Sequence, residues 1–249
     1  GTPRPEAEAA APDGEVLARL LWRYPHQPDV DLPSKLTATQ LKGRPVDEEV
    51  AGDAGSGEQG LPAPQRPLRR PRFVQEEQGL TPAQRGTALH LAMQYLDFAR
   101  TGSAEEISGE ITRLVERAFL TPEQGAAVKP ESIAAFFASP LGRELRQARN
   151  LRREFKFSLL VPARRYWSTA GEGEQVLLQG VVDCCFETPE GLTVVDFKTD
   201  RVGEAGLMER AEAYRPQVEA YSRALEQIFQ MPVTRRVLWF FRPGQAVEL

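Results

Sequence analysis

QGVVDCCFETPEGLTVVDFKTD, residues 179–200, decides how the rest of the chain is read. Its two halves, VVDCCFE and LTVVDFKT, are rich in Val, Phe and Thr, a composition that favours strands. Thr188-Pro189-Glu190-Gly191 between them has turn chemistry, because proline presets φ and glycine accepts a positive one. With those four residues as the loop, Glu187 pairs with Leu192, and counting back sets Asp183 directly opposite Asp196. Directly opposed residues share a face, with Cβ atoms about 5 Å apart. Lys198 lies two residues beyond Asp196 and joins that face. Two carboxylates held so close repel unless a cation lies between them or one stays protonated. An Asp facing Asp-x-Lys is the donor set of a hard-metal site with a lysine beside it, which is the chemistry that phosphodiester cleavage requires.

Charges at period two on a hairpin are ordinarily its solvated face. Here Val181, Cys185, Leu192 and Val194 share the face with the charges. Charged groups inside an apolar face point to burial with a purpose. Asp-x-Lys alone is a weak signal, and it gains weight only from ligands on neighbouring elements.

Composition narrows the remaining classes. At 249 residues the chain fits one large domain, or one domain with an appendage. Hydrophobic content of 41% and charged content of 27% are ordinary for a globular protein. No apolar run approaches the roughly 18 residues that a membrane span needs, and no signal peptide is visible. Cys184 and Cys185 are adjacent, point to opposite faces of one strand and cannot complete a four-cysteine metal site, so the cell interior is expected. The net charge of −4 argues against strong nonspecific nucleic-acid binding, though not against a local basic path. A start at Gly1 instead of Met reads as an excised fragment or a processed end.

Residues 1–72 are expected to be an extended N-terminal segment and 73–249 the folded domain. Within the first, residues 1–12 are Pro/Ala-rich and loose, and 13–24 read as a short amphipathic helix. Lys35–Lys42 begins another short helix capped by Thr37 or Thr39. Residues 43–71 read as a flexible linker, and His26 as a solvated loop residue. Thr81-Pro82-Ala83-Gln84 is a capping box that opens a helix running to about Arg100, with Leu89, Met93 and Leu96 as its core stripe. His90 sits at the edge of that stripe, where a core histidine is the ordinary reading and a metal ligand the sharper one. Further helices are expected at 105–119, 122–128 and 131–138, the second opened by a repeat of the capping box at Thr121.

Leu151–Val161 reads as a strand with Glu154, Lys156 and Ser158 on one face and Phe155, Phe157 and Leu159 on the other. Around it lies a basic cluster: Arg143, Arg146, Arg149, Arg152, Arg153, Arg164 and Arg165. Solvated helix charge and phosphate binding are about equally good readings of it. Residues 163–174 form an exposed loop with Tyr166 and Trp167. A helix from about Glu212 to Gln230 sets Gln217 and Tyr221 on one face, with Tyr214 one turn earlier, and Val233–Phe241 makes a last strand. Strands interleaved with helices imply an α/β fold, a mixed central β-sheet flanked by helices.

Together RGTALHLAMQ, GVVDCCF, VVDFKTD and YRPQVEAYSRAL resemble the RecB-type nuclease domain of the PD-(D/E)xK superfamily. FVQEEQGLTPAQRGTALHLAMQYLDF is similar, more narrowly, to the C-terminal nuclease domain of the AddA family, the helicase–nuclease subunits of AddAB recombination complexes. The resemblance spans Leu36 to Phe241 and implies a restriction-endonuclease-like core. It assigns metal binding to His90, Asp183 and Asp196, and to the backbone carbonyl of Phe197. Catalysis falls to Asp183, Asp196 and Lys198, with Glu154 as a further acid on the first core strand. Gln217 and Tyr221 match a Q-x-x-x-Y motif that contacts DNA, and Arg152 and Arg153 join them as DNA-binding candidates.

The implied activity is a Mg²⁺-dependent DNA exonuclease that processes double-strand breaks for recombinational repair, cutting the 3′-ended single strand; Mn²⁺ or Ca²⁺ can occupy such a site. No iron–sulfur cluster is expected, since the four cysteines that hold one in related proteins are absent. Expected partners are single-stranded DNA, the helicase domains of a parent chain and an AddB-like subunit, with no membrane, in a bacterial cytoplasm. A silent DNA-binding module of the same fold and a stand-alone repair nuclease are the competing readings.

Overall fold

The computed structural model describes residues 32–41 and 79–249. The helix expected at 13–24, His26, Lys42 and the linker expected at 43–71 lie outside the described residues. Two compact units are distinguished: residues 1–36 with 160–177, and residues 37–159 with 178–249. The second contains every candidate site residue.

Its helices begin where the sequence places start signals. α1, Pro82–Tyr95, opens with the Thr81 capping box: the Gln84 amide donates to Thr81 Oγ1 at 3.2 Å and the Thr81 amide donates to Gln84 Oε1 at 2.8 Å. Leu89, Met93 and Leu96 are buried as expected. The helix stops at Tyr95 instead of Arg100, and a 3-10 turn at Phe98–Arg100 follows, its first amide satisfied by Asp97. Then come α2 (Ala104–Glu116), α3 (Pro122–Ala127, opened by the second capping box) and α4 (Pro130–Ala138). α5, Pro140–Gln147, goes beyond the helices expected, although Ser139 before Pro140 is a start signal. Lys35–Leu41 is not the single helix expected: Lys35–Thr37 is strand β1 and Ala38–Leu41 a 3-10 turn against the long C-terminal helix.

The remaining strands are β2 (Arg149–Pro162), β3 (Gln175–Thr188), β4 (Gly191–Lys198), β5 (Val233–Phe240) and β6 (Gln245–Glu248). They form one mixed sheet in the order β1-β3-β4-β5-β6, with β2 also pairing to β3. β3 and β4 are antiparallel, β4 and β5 parallel, β5 and β6 antiparallel. A parallel neighbour needs a crossover, and α6, Leu207–Phe229, supplies it between β4 and β5. The β3–β4 register is the one counted from the turn: Glu187 pairs with Leu192 and Cys184 with Val195. Only Pro189 and Glu190 lie outside the strands, and Gly191 takes φ 144, where a Cβ would meet Pro232 O at 2.4 Å.

Alternation divides the sheet. Cys184, Phe186, Val195, Phe197, Val237, Trp239 and Phe241 join α1–α5 in one hydrophobic core. Phe136 is its centre, in edge or tilted contact with Phe197, Trp239 and Phe241 at 5.1–6.0 Å. Asp183, Cys185, Val194, Asp196 and Lys198 have the opposite parity, on the side of the sheet where α6 lies. Burial pushes the Cys185 thiol up to about 11, which suits a packing role. No helix among the described residues is long and apolar enough to cross a membrane.

The smaller unit holds Ala163–Trp167, a 3-10 turn in which Arg164 Nε donates to Ala170 O at 2.8 Å. Tyr166 and Trp167 are half-buried, with their ring centroids 5.9 Å apart, and not the open patch expected of an exposed loop.

Candidate metal centre

Continuing the β3–β4 register one step past Cys184 and Val195 reaches Asp183 and Asp196, near the C-terminal end of β4. Asp183 Oδ2 accepts the Phe197 backbone N–H at 2.7 Å, so Phe197 has its ring in the core and its amide in the site. His90 reaches the same carboxylate from α1, with Nδ1 3.3 Å from Asp183 Oδ1, and its ring meets Phe197 edge-on at 6.4 Å. Gly86, four residues earlier on the same helical face, lets α1 come close to β4. A Cβ there would meet Thr199 Oγ1 at 3.0 Å.

Glu154 completes the group. One ligand atom each from His90, Glu154 and Asp183 lie within 4.8 Å of one another. Glu154 sits inside β2 with φ 50, a left-handed conformation that costs an L-residue about 1–2 kcal/mol. That residue shifts the alternation of the strand. Arg152 on one side of it packs on Phe229 of α6, yet so does Phe155 on the other, three positions away. Strict alternation would put those two on opposite faces. Strain of this kind inside a strand is characteristic of sites where a side chain must be re-aimed.

The charges are balanced unequally. Burial works against ionising Asp183, but the His90 ring and the Phe197 amide outweigh it and hold the carboxyl below its ordinary range. Burial likewise works against charging His90, and Asp183 outweighs it, so the imidazole is raised above its ordinary value. Asp196 goes the other way: burial, with Asp183 nearby, raises it despite Lys198 Nζ at 2.6 Å from Oδ2. Glu154 is pushed up to about 7 by burial and then by the charge of Asp183. An acid cluster in which two carboxyls resist ionisation lacks positive charge, and a bound divalent cation would supply it. The donors are hard oxygens and one imidazole, within the range of Mg²⁺ or Mn²⁺ chemistry. His90, Glu154 and Asp183 therefore fit a metal. Asp196, expected among the ligands, is engaged with Lys198 in this structure, and Glu154 takes its place in the three-residue group.

Lys198 is buried and caged. Its Nζ lies 2.6 Å from Asp196, 3.4 Å from Gln217 Oε1 and 3.8 Å from the centroid of the Tyr214 ring. The Gln217 amide donates to Tyr221 Oη at 2.6 Å. Gln217 and Tyr221 are 3% and 4% exposed, so the pair expected on a DNA-contacting face stands behind the lysine. Gly180 makes room for it, since a Cβ there would meet Phe157 at 2.6 Å and Tyr221 at 3.0 Å. Arg152 and Arg153 are not brought to this group. Arg152 pairs with Glu187 and stacks on Phe229. Arg153 donates to the carbonyls of Met93 and Leu96 at the end of α1 and stacks on Phe98. Of the wider basic cluster, Arg146, Arg149 and Arg165 have exposed side chains. The positions missed from sequence are Asp200, Arg210 and the role of Tyr214; the Asp that follows FKT was the available signal.

Residues 65–248 match the family model of the PD-(D/E)XK nuclease superfamily. The chain is 43% identical over 236 residues to the AddA-type subunit of the ATP-dependent helicase/nuclease of Moorella thermoacetica, a match covering 92% of this chain and 16% of that protein. Against the corresponding protein of Desulforamulus reducens it is 36% identical, covering 94% of this chain and 19% of the relative. Against that of Geobacillus kaustophilus it is 39% identical, again over 94% and 19%. The chain thus spans less than a fifth of the length of these curated relatives.

Proposed function

The chain belongs to the PD-(D/E)XK nuclease superfamily, and from that premise we propose that it is the metal-dependent DNA-cutting domain of a bacterial cytoplasmic helicase–nuclease that processes double-strand breaks. Residues 73–249 are the nuclease domain in this reading. The observation that carries it is the convergence of His90, Glu154 and Asp183 within 4.8 Å, beside a buried Asp196–Lys198 pair at 2.6 Å.

His90, Glu154 and Asp183 would hold Mg²⁺, with Asp196 and the Phe197 carbonyl adjacent. When bound, the ion neutralises charge at the scissile phosphate and lowers the pKa of a water. The chain's own residues do the rest. Asp183 is oriented from two sides, by His90 and the Phe197 amide, so its lone pairs are aimed before any ligand arrives. Asp196 and Gln217 hold the Lys198 ammonium at the end of β4. There it positions the attacking water and meets the negative charge that develops on the phosphate. Tyr221 acts through Gln217, fixing its amide. The substrate is single-stranded DNA, cut from its 3′ end as a motor and an AddB-like partner deliver it. The names of the relatives, helicase and nuclease in one protein, support that part of the reading.

The test is degradation of single-stranded DNA by the full-length chain with Mg²⁺ or Mn²⁺. EDTA and Lys198→Ala are each expected to stop it. Cutting that persists in EDTA would refute the metal assignment, and full activity in Lys198→Ala would refute the role of the lysine.

A further inference from the structure

Behind Lys198 lies a second buried group that the reaction as described does not use. Asp200 is 8% exposed and stands two residues past Lys198. Its Oδ1 accepts from Arg210 Nε at 2.7 Å and also pairs with Arg210 Nη2. Both its carboxylate oxygens accept the Tyr214 hydroxyl, at 2.9 and 3.0 Å. Arg210 and Tyr214 are four apart on α6, and Gln217 follows three later, so all three share the helical face toward the end of β4. The Tyr214 ring, 2% exposed, lies between Asp200 and Lys198, with the ammonium 3.8 Å from its centroid. The Arg210 guanidinium is 5.3 Å from the same centroid and Phe240 packs 6.5 Å away at a tilt.

We propose that Tyr214 is a positioning residue for Lys198, presenting its ring face to the ammonium, and that Asp200 and Arg210 are the support that sets the plane of that ring. The inference rests on the reading of Lys198 as the lysine of the nuclease site. A lysine side chain has four rotatable bonds, and holding it in one rotamer costs entropy unless its surroundings already confine it. Asp196 and Gln217 confine the ammonium at two points, and the ring confines it at a third. A cation over a ring face is attracted by the ring's electron density, and desolvation strengthens that attraction. A hydroxyl donating to a carboxylate pushes electron density back into the ring, so Asp200 strengthens the contact that it orients. Arg210 neutralises Asp200, so a second buried carboxylate does not compete with Asp196 for the lysine.

A merely structural tether makes a different prediction. In that case the hydroxyl is the part that matters, because it alone joins α6 to Asp200. In the positioning role the ring face matters. Replacing the ring's electron density at constant shape separates the two. Tyr214→Phe is made in the full-length chain, and the same position is then loaded with 4-fluoro- and 3,4,5-trifluorophenylalanine by nonsense suppression. Each variant is assayed on a single-stranded oligonucleotide at saturating Mg²⁺, and its melting temperature is recorded. The expected result is a kcat that falls with each step of fluorination, about tenfold from Phe to the trifluoro ring, with KM and melting temperature nearly constant. Asp200→Asn is expected to lower kcat about threefold with KM unchanged. A kcat that is flat across the fluorinated series overturns the proposal, as does a change confined to KM or one that tracks the melting temperature. Wild-type activity with Mg²⁺ and its loss in Lys198→Ala report separately on the nuclease reading, so a flat series in an active enzyme removes the inference alone.

Discussion

The two faces of β4 come from alternate residues of one strand and have opposite chemistry. Val195 and Phe197 enter an apolar core with Phe136, Trp239 and Phe241. Asp196 and Lys198 are 3% and 7% exposed and place two charges in the interior on the α6 side. The first face lowers the free energy of the fold by burial, at about 25 cal/mol per Å² of apolar surface. The second works against it: desolvation pushes Asp196 up, and one short ion pair offsets only part of that cost. A single eight-residue strand thus carries both the centre of the core and the centre of the chemistry. Rigidity on one side holds position on the other.

Breaking one residue on each face tests that division most sharply. Asp196→Ala is expected to reduce cutting by about a thousandfold or more, equivalent to about 4 kcal/mol of barrier, while circular dichroism stays native. Phe136→Ala, at the dry centre, is expected to cost about 3–5 kcal/mol of stability by denaturant titration. If Asp196→Ala unfolds the chain and Phe136→Ala melts like wild type, the two faces do not divide the labour.

Within the charged face the two metal-site carboxyls should move stability in opposite directions. The sequence suggests that opposed Asp183 and Asp196 repel, so that Asp183→Asn melts at or above wild type without metal. The structure reverses that expectation, because Asp183 is matched by His90 and the Phe197 amide. A carboxyl held low contributes stability above its unfolded value of 3.8, lost as pH falls through the lower folded one. Asp183→Asn is therefore expected to destabilise the EDTA-treated protein by about 2 kcal/mol at neutral pH, and by little in acid.

Glu154 has the opposite sign. Its carboxyl is raised from 4.5 to about 7, so its favourable contribution is complete below 4.5 and lost as pH rises through about 7. Glu154→Gln is expected to stabilise the metal-free protein above that range by about 1 kcal/mol, after discounting for partial exposure, and to lose the Mg²⁺-induced melting shift. A destabilised Glu154→Gln would show that the carboxylate serves the fold. The smallest effect concerns His90, which binds a metal only when neutral. Asp183 raises its pKa, so the Mg²⁺ concentration for half activity should begin to climb above the ordinary histidine value of about 6.5, instead of only below about pH 6 as an unperturbed imidazole implies. Titrations on both sides of that value measure it.

Whatever depends on neighbours along the chain was legible before any packing was known. The Thr188–Gly191 turn set the β3–β4 register, because a short loop leaves one way to pair the flanking strands and a slip would turn every side chain over. Thr81 and Thr121 marked two helix starts, since a cap satisfies amides three residues away. The set from His90 to Tyr221 was legible as a family pattern. The rest came only with the assembled fold. β6 is four residues long, too short for alternation to show. Glu154 adopts φ 50 only because the strands around it hold it there. Arg153, one of a basic run, is turned inward by the carbonyls of Met93 and Leu96, about sixty residues away in sequence. Gln217 and Tyr221 share a helical face in any sequence reading, but what that face meets is set by how α6 packs back onto β4. A side chain's partners are fixed by the packing of distant elements, and residue type and spacing carry no record of them.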